Sequence, residues 1–248
     1  MSQEVRVALF RPDDERLAEG IDLLESLGAI PVPDPMLEVR PTGSSPREDA
    51  AYTIFTSQTG VELASDAEWD AGETSVCAIG ERTSRTLREA GYRVDLVPDV
   101  FSSTGLVNAL CDRVPGRTVE VARSDHGSPV LTDGVNECGG YVHETVLYEL
   151  VVPEGAGVSA ERAATGELEA ALFTSSLTVE HFLESAEERG VREDALAGLE
   201  RAVIGVIGEP TRETAEGLGI AVDVVPERAT FEALACEAVE RAAPTYYG

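Results

Sequence analysis

The stretch Ile207–Pro226, IGEPTRETAEGLGIAVDVVP, is written a second time in the same chain as Ile79–Pro98, IGERTSRTLREAGYRVDLVP. Each copy reads as a strand end, a Gly-Glu turn, a Thr where a helix begins, a helix ending near Gly91 or Gly219, and a strand closed by Pro. A further echo, Ile54–Ser57 (IFTS) and Leu172–Ser175 (LFTS), precedes helices holding Val61-Glu62 and Val179-Glu180. The chain is an internal duplication. Each half presents strand-to-helix turns at the carboxyl edge of its sheet, where open α/β sheets take ligands. The hydroxyls of Thr83 and Thr211 and the free N–H groups beside them sit at matching places, which suggests one anionic ligand held between the halves.

Outward from the repeats, strand and helix alternate. Val5–Leu9 reads as a strand, Arg16–Leu27 as a helix suited by Asp13 and Asp14 and stopped by Gly28, and Ala29–Val32 as a strand stopped by proline. From Ala51 to Gly140 the strands are Tyr52–Thr56, Val76–Ile79, Val94–Val97 and Val119–Ala122, with helices from Thr59, Thr83, Thr104 and Val130. After the loop PEGAG the pattern restarts, with a strand at Ala170–Phe173, helices near Ala160–Thr165, Val179–Arg189 and Glu193–Leu199, the second repeat, and a helix at Phe231–Arg241. Such alternation predicts an α/β fold of parallel sheets with helices on both faces. The second half lacks an opening strand and helix, while residues 1–33 supply them without a sheet of their own. The expected organisation is a discontinuous domain of residues 1–35 plus 150–248, with a domain of residues 40–146 inserted by extended crossings near 35–40 and 145–152.

Composition narrows the function. The 248 residues carry 46 acidic side chains against 19 basic ones, a formal charge of −27, and every basic residue is Arg. The acids lie in periodic segments of a chain that is 43% hydrophobic, so this is a folded protein with an acidic skin rather than a disordered tail. Such a surface repels itself in dilute buffer and is tolerated where salt shortens the Debye length to about 3 Å. The expectation is a salt-rich cytoplasm, as in halophilic archaea. No basic stripe suits nucleic acid, and neither a signal peptide nor an apolar stretch of membrane-spanning length is written. Cys77, Cys111, Cys138 and Cys236 have no C-x-x-C spacing and are expected as reduced thiols. No metal-spaced cluster, P-loop or Gly-x-Gly-x-x-Gly turn appears, so no metal or cofactor is expected.

In order and spacing these pieces resemble the uroporphyrinogen-III synthase family. The matching residues are Arg11-Pro12 after the first strand, the FTS turn at Phe55–Ser57 and its echo, IGERT and IGEPT, Ser103-Thr104-Gly105-Leu106, Ala122-Arg123, and Tyr148 in the extended passage. The resemblance spans nearly the whole chain. It implies two flavodoxin-like domains joined by a two-stranded extended linker, and a lyase without cofactor that closes the linear tetrapyrrole hydroxymethylbilane with loss of water and inversion of its last ring. Hydroxymethylbilane is then the small-molecule partner, hydroxymethylbilane synthase a transient one, and the expected state a cytoplasmic monomer. A non-catalytic binding or regulatory protein for an anionic ligand is the alternative on the same fold.

The reaction the resemblance implies needs a flexible octacarboxylate held in one conformer and help for a departing hydroxyl, so proximity is the main effect. Tyr148 is the candidate proton donor, with packing of a domain linker as the competing role. Thr83 and Thr211 are candidates for hydrogen bonds to carboxylates or the leaving group, against a role satisfying their own helix backbone. The candidate substrate-binding residues are Arg11, Ser57, Gly80, Ser103, Arg123, Ser175 and Gly208; for the two arginines, surface ion pairs compete. The chain departs from the family where RSDHGSP lacks a second Arg after Arg123, and where Arg212 replaces a common Ala.

Overall fold

An apolar run forms β1 (Arg6–Leu9), and Asp14 starts α1 (Glu15–Ser26) by accepting a hydrogen bond from the Arg16 N–H at 2.9 Å. β2 (Ile30–Pro33), β3 (Glu38–Pro41), β4 (Tyr52–Phe55), α2 (Gln58–Asp66), β5 (Ser75–Ala78), α3 (Glu81–Glu89) and α4 (Ser103–Leu110) follow. Then come β6 (Thr118–Ser124), α5 (Pro129–Glu137), β7 (Tyr141–Val151), α6 (Val158–Ala164), β8 (Ala170–Phe173) and α7 (Ser176–Glu188). The last elements are α8 (Arg192–Leu199), β9 (Val203–Val206), α9 (Glu209–Gly217) and α10 (Phe231–Ala242). This computed structural model describes residues 4–243. Contacts divide the chain into two units, one taking the residues up to Glu38 and those from Val151 onward, the other being Val39–Leu150.

In the first unit the strand order is β2-β1-β8-β9, all parallel, with Val7 opposite Ala170 and Ala170 opposite Val203. Alternation along the strands sends Ala8, Ala171 and Phe173 to one face under α6 to α9, and Val7, Leu9 and Leu172 to the other under α1 and α10. Phe10, Phe173 and Phe182 meet with ring centroids 4.5 to 5.7 Å apart and fill the first of these faces. In the second unit the order is β3-β7-β6-β4-β5, with β7, β6, β4 and β5 parallel. Phe55, Ala78 and Ala122 face α2 and α3, whereas Ile54, Cys77 and Val121 face α4 and α5. The two sheets thus repeat one arrangement, with β6 and β7 taking the places that β1 and β2 take in the other.

The strands expected at Val94–Val97 and after Gly219 are each reduced to a single bridge, Cys77 to Leu96 and Gly205 to Val224. The cause is the aspartate written in both repeats. Asp95 Oδ2 accepts the Val76 N–H at 3.1 Å and Asp223 Oδ2 accepts the Ile204 N–H at 3.0 Å, so a side chain occupies the donor that a longer ladder would need. Another carboxylate fastens the passage after β2. Asp34, 3% exposed, accepts from the Gly157 and Ser159 N–H groups at 3.0 and 2.7 Å and from the Ser159 hydroxyl, serving the start of α6 from a distance. His181, buried on α7, meets the Met36 carbonyl through Nδ1 at 2.5 Å.

The reduced-thiol expectation is corrected for one pair. Cys111 and Cys138 are joined as a disulfide, because each caps the end of its helix and the packing of α4 beside α5 brings their Cα atoms to 5.1 Å. Cys77 and Cys236 are free, and burial pushes the Cys77 thiol up to about 12, so it stays protonated. With its ends 27 positions apart in sequence, the disulfide should stabilise the oxidised protein by about 3 to 4 kcal/mol through the unfolded chain. Cys111→Ser is expected to lower stability in urea by about that amount, and reductant should then produce no further loss.

Candidate active site

In each sheet the chain leaves a strand at the carboxyl edge and enters a helix whose first N–H groups lack intrahelical partners. Six of these starts are closed by side chains, α1 by Asp14 as described and α5 by Ser128, which accepts the Val130 N–H at 3.3 Å. Ser57 accepts the Gly60 N–H at 3.0 Å, Ser102 the Gly105 N–H at 3.0 Å, Ser175 the Thr178 N–H at 3.2 Å and Thr230 the Ala233 N–H at 3.3 Å. The two repeats differ from these, because Gly80 and Gly208 stand at the caps of α3 and α9 with extended backbone and no side chain to accept. Thr83 and Thr211 occupy the third position of these helices, 5% and 4% exposed, and neither hydroxyl has a hydrogen-bond partner among the described residues. The self-satisfying role weighed for them is therefore absent. α3 offers the N–H groups of Glu81 and Arg82, whereas Pro210 leaves α9 with that of Glu209 in the same turn. Glu81 and Glu209 are exposed and each lies near an arginine, Arg88 at 3.8 Å and Arg212 at 3.7 Å.

The other candidates separate into groups. Tyr148, on β7, is 6% exposed within the core that holds Phe55 and Trp69, and its hydroxyl donates to Ser57 Oγ at 2.9 Å. Arg11 follows β1 with its guanidinium 4.6 Å from the Phe231 ring centroid and no carboxylate partner among the described residues. Burial, then the charge of Arg16, lowers its pKa against the opposing charges of Asp14 and Glu19. Arg123 is engaged internally through both terminal nitrogens, while its buried Nε has no hydrogen-bond partner among the described residues. Nη1 donates to the Ser128 carbonyl at 2.7 Å, Nη2 pairs with Glu144, and the stem lies where a Gly127 side chain would stand. Ser103 is the first residue of α4 rather than its cap, and Ser175 closes a capping box with Thr178. A cavity of about 600 Å³ in the second unit lies at the opposite, amino edge; Glu48, Asp49 and Glu73 outnumber Arg117 there, which disfavours a polyanion.

A family model described as uroporphyrinogen-III synthase HemD matches residues 18–236. A putative uroporphyrinogen-III synthase of Methanothermobacter thermautotrophicus is 32% identical over 242 residues, covering 91% of this chain and 94% of the relative. The chain belongs to the uroporphyrinogen-III synthase family. The uroporphyrinogen-III synthase of Chlorobaculum parvum is 26% identical over 221 residues, covering 82% of this chain and 86% of the relative. In fold, the chain is similar to a mutant uroporphyrinogen III synthase of Thermus thermophilus, with a TM-score of 0.68 at 20% identity over 96% of this chain and 98% of that one. It is also similar to the enzyme of Helicobacter pylori, with a TM-score of 0.63 at 15% identity over 96% and 100% of the two chains.

Within this family member, sequence reasoning missed Ser102 as a cap, since Ser102 and Ser103 are adjacent and the helix start decides between them. It also missed Phe101, 62% exposed, whose Cβ lies 3.2 Å from where a Gly80 side chain would begin, a tight approach of that loop to the start of α3 that glycine leaves room for. The burial of Arg123 sets its prediction. Arg123→Ala should cost about 2 to 3 kcal/mol in urea denaturation, because Glu144 and the Ser128 carbonyl lose their partner, and Arg123→Lys should recover little since one ammonium cannot reach both. An unchanged stability with a raised KM would mark the residue instead as a substrate clamp.

Proposed function

We propose that this chain is a uroporphyrinogen-III synthase that closes hydroxymethylbilane with inversion of the last pyrrole ring and loss of water. The observation that carries the reading is the repeated pair of glycine-started helices, each with a buried threonine whose hydroxyl is unpartnered, at the carboxyl edge of both sheets. Such starts suit the carboxylates of the substrate, each worth about 0.3 to 1 kcal/mol when exposed and more when partly buried. The strand orders support reading each unit as flavodoxin-like, with the bridges at Leu96 and Val224 as the fifth strand position of each.

On this reading Gly80, Thr83 and Ser57 in one unit, and Gly208, Thr211, Ser175 and Arg11 in the other, are the groups that meet carboxylates of the substrate. Ser103 adds a second hydroxyl beside the start of α4. Holding the chain in the conformer that brings its ends together supplies up to several kcal/mol of the barrier, on the order of what oriented intramolecular reactions gain. Hydroxymethylbilane synthase would deliver the substrate in transient contact with a monomer in the cytoplasm. Among the described residues no helix is long and apolar enough to cross a membrane, and no group of three His, Cys, Asp or Glu could hold a metal ion.

The charge of −27 adds a condition, because a polyanion approaching this surface is repelled until salt screens it. We read the protein as adapted to a halophilic cytoplasm. Hydroxymethylbilane generated enzymatically and supplied in molar KCl should yield uroporphyrin III after oxidation, at a rate that rises steeply with KCl. Uroporphyrin I alone would sink the synthase reading, and a flat or falling salt profile in folded protein would sink the halophilic one.

A further inference from the structure

The two duplicated serine caps are not equivalent. At α7 the box is closed, since the Thr178 N–H donates to Ser175 Oγ at 3.2 Å and the Ser175 N–H donates back to Thr178 Oγ1 at 3.3 Å. At α2 the corresponding position is Gly60, whose N–H donates to Ser57 Oγ at 3.0 Å but which has no side chain to return the bond. A Cβ at Gly60 would stand 3.1 Å from Ser57 Oγ. The partner comes from elsewhere. Tyr148 Oη approaches Ser57 Oγ at 2.9 Å from β7, where the register shifts between Arg123 and Ser124 and sets Tyr148 opposite Ser124. A bulge of this kind re-aims a side chain.

The hydrogen-bond inventory then has one open place. Tyr148 gives its only O–H to Ser57, and the two acceptor positions of Ser57 Oγ are filled by Tyr148 and Gly60. The hydroxyl proton of half-buried Ser57 remains to donate, at the carboxyl edge beside the start of α2. The phenol at 6% exposure is covered, so a substrate meets Ser57 before Tyr148.

Resting on the synthase reading, we propose that Ser57 is the catalytic residue that protonates the departing hydroxyl of hydroxymethylbilane, and that Tyr148 is a positioning residue acting through it. The C–O bond of the hydroxymethyl group breaks with its electron pair on oxygen, and the Ser57 proton joins that oxygen to release water. The Tyr148 proton moves to Ser57 Oγ. The phenolate is reprotonated by the hydrogen lost from the pyrrole carbon when the macrocycle closes, so no outside acid is consumed.

The test compares Ser57→Gly, Ser57→Thr, Tyr148→Phe and the double Ser57→Gly/Tyr148→Phe in molar KCl, with kcat, KM, isomer ratio and melting temperature. Glycine serves as a helix cap nearly as well as serine, so Ser57→Gly removes the hydroxyl with little cost to α2. Each single loss should lower kcat by about 10²-fold with KM within about twofold, and the double should be no worse than Ser57→Gly. Ser57→Thr should keep most activity. Tyr148→Phe at wild-type rate, multiplicative losses, or a greater loss for Tyr148→Phe than for Ser57→Gly would overturn the relay while type III product in the wild type leaves the synthase reading standing. Type I product alone from the wild type would overturn that reading and the relay with it.

Discussion

A parallel strand must hand the chain to a helix at its carboxyl end, and the first turn of that helix has N–H groups that no helix carbonyl can reach. In this protein that constraint recurs at the starts of α2, α3, α4 and α5 in one sheet and of α1, α7, α9 and α10 in the other. Side chains resolve it at Asp14, Ser57, Ser102, Ser128, Ser175 and Thr230, and glycine leaves it unresolved at Gly80 and Gly208. Leaving a start open with glycine costs roughly a few tenths of a kcal/mol against serine. A helix start left open in this way is thus nearly neutral for folding, and the duplicated repeats carry two of them.

The acidic surface places the burden of stability on the sheets' apolar faces. Ion pairs such as Arg212 with Glu216 at 2.8 Å are exposed, and molar salt screens them further. Buried charge is used sparingly and is tied to local geometry. Asp34 holds the passage after β2 to the start of α6, and Arg123 holds the loop after β6 to β7. Truncating Asp34 would leave the buried Gly157 and Ser159 donors unpaired, and truncating Arg123 would release the exposed Glu144 and Ser128 that it ties together, so these sites behave as structural clamps.

Much of the fold was legible because the repeats carry period and punctuation together: Gly-Glu at the turn, Thr inside the helix, glycine past its end, Asp in the following extended run. The strand at Ala170–Phe173 agrees to the residue, as an apolar run with no competing pattern must. The misses have three-dimensional causes. The Asp95 and Asp223 carboxylates take ladder donors, which local β-propensity cannot register. Cys111 and Cys138 meet only because two helices end side by side, a fact absent from C-x-x-C spacing. Arg123 reads in sequence as following a strand, as a clamp would, yet it lies within β6 and its partner Glu144 is 21 residues away on β7. The pairing of Tyr148 with Ser57 depends on a register shift and on Gly60 being small, neither visible in a linear repeat.

Amide hydrogen exchange with and without bound uroporphyrinogen III, in molar KCl, tests most directly whether the open helix starts receive the carboxylates. The expected result is added protection at Glu81, Arg82 and Glu209, beside the glycine caps. Protection confined to the amino-edge cavity near Ala51 and Arg117, or none at either glycine-started helix, would contradict the account.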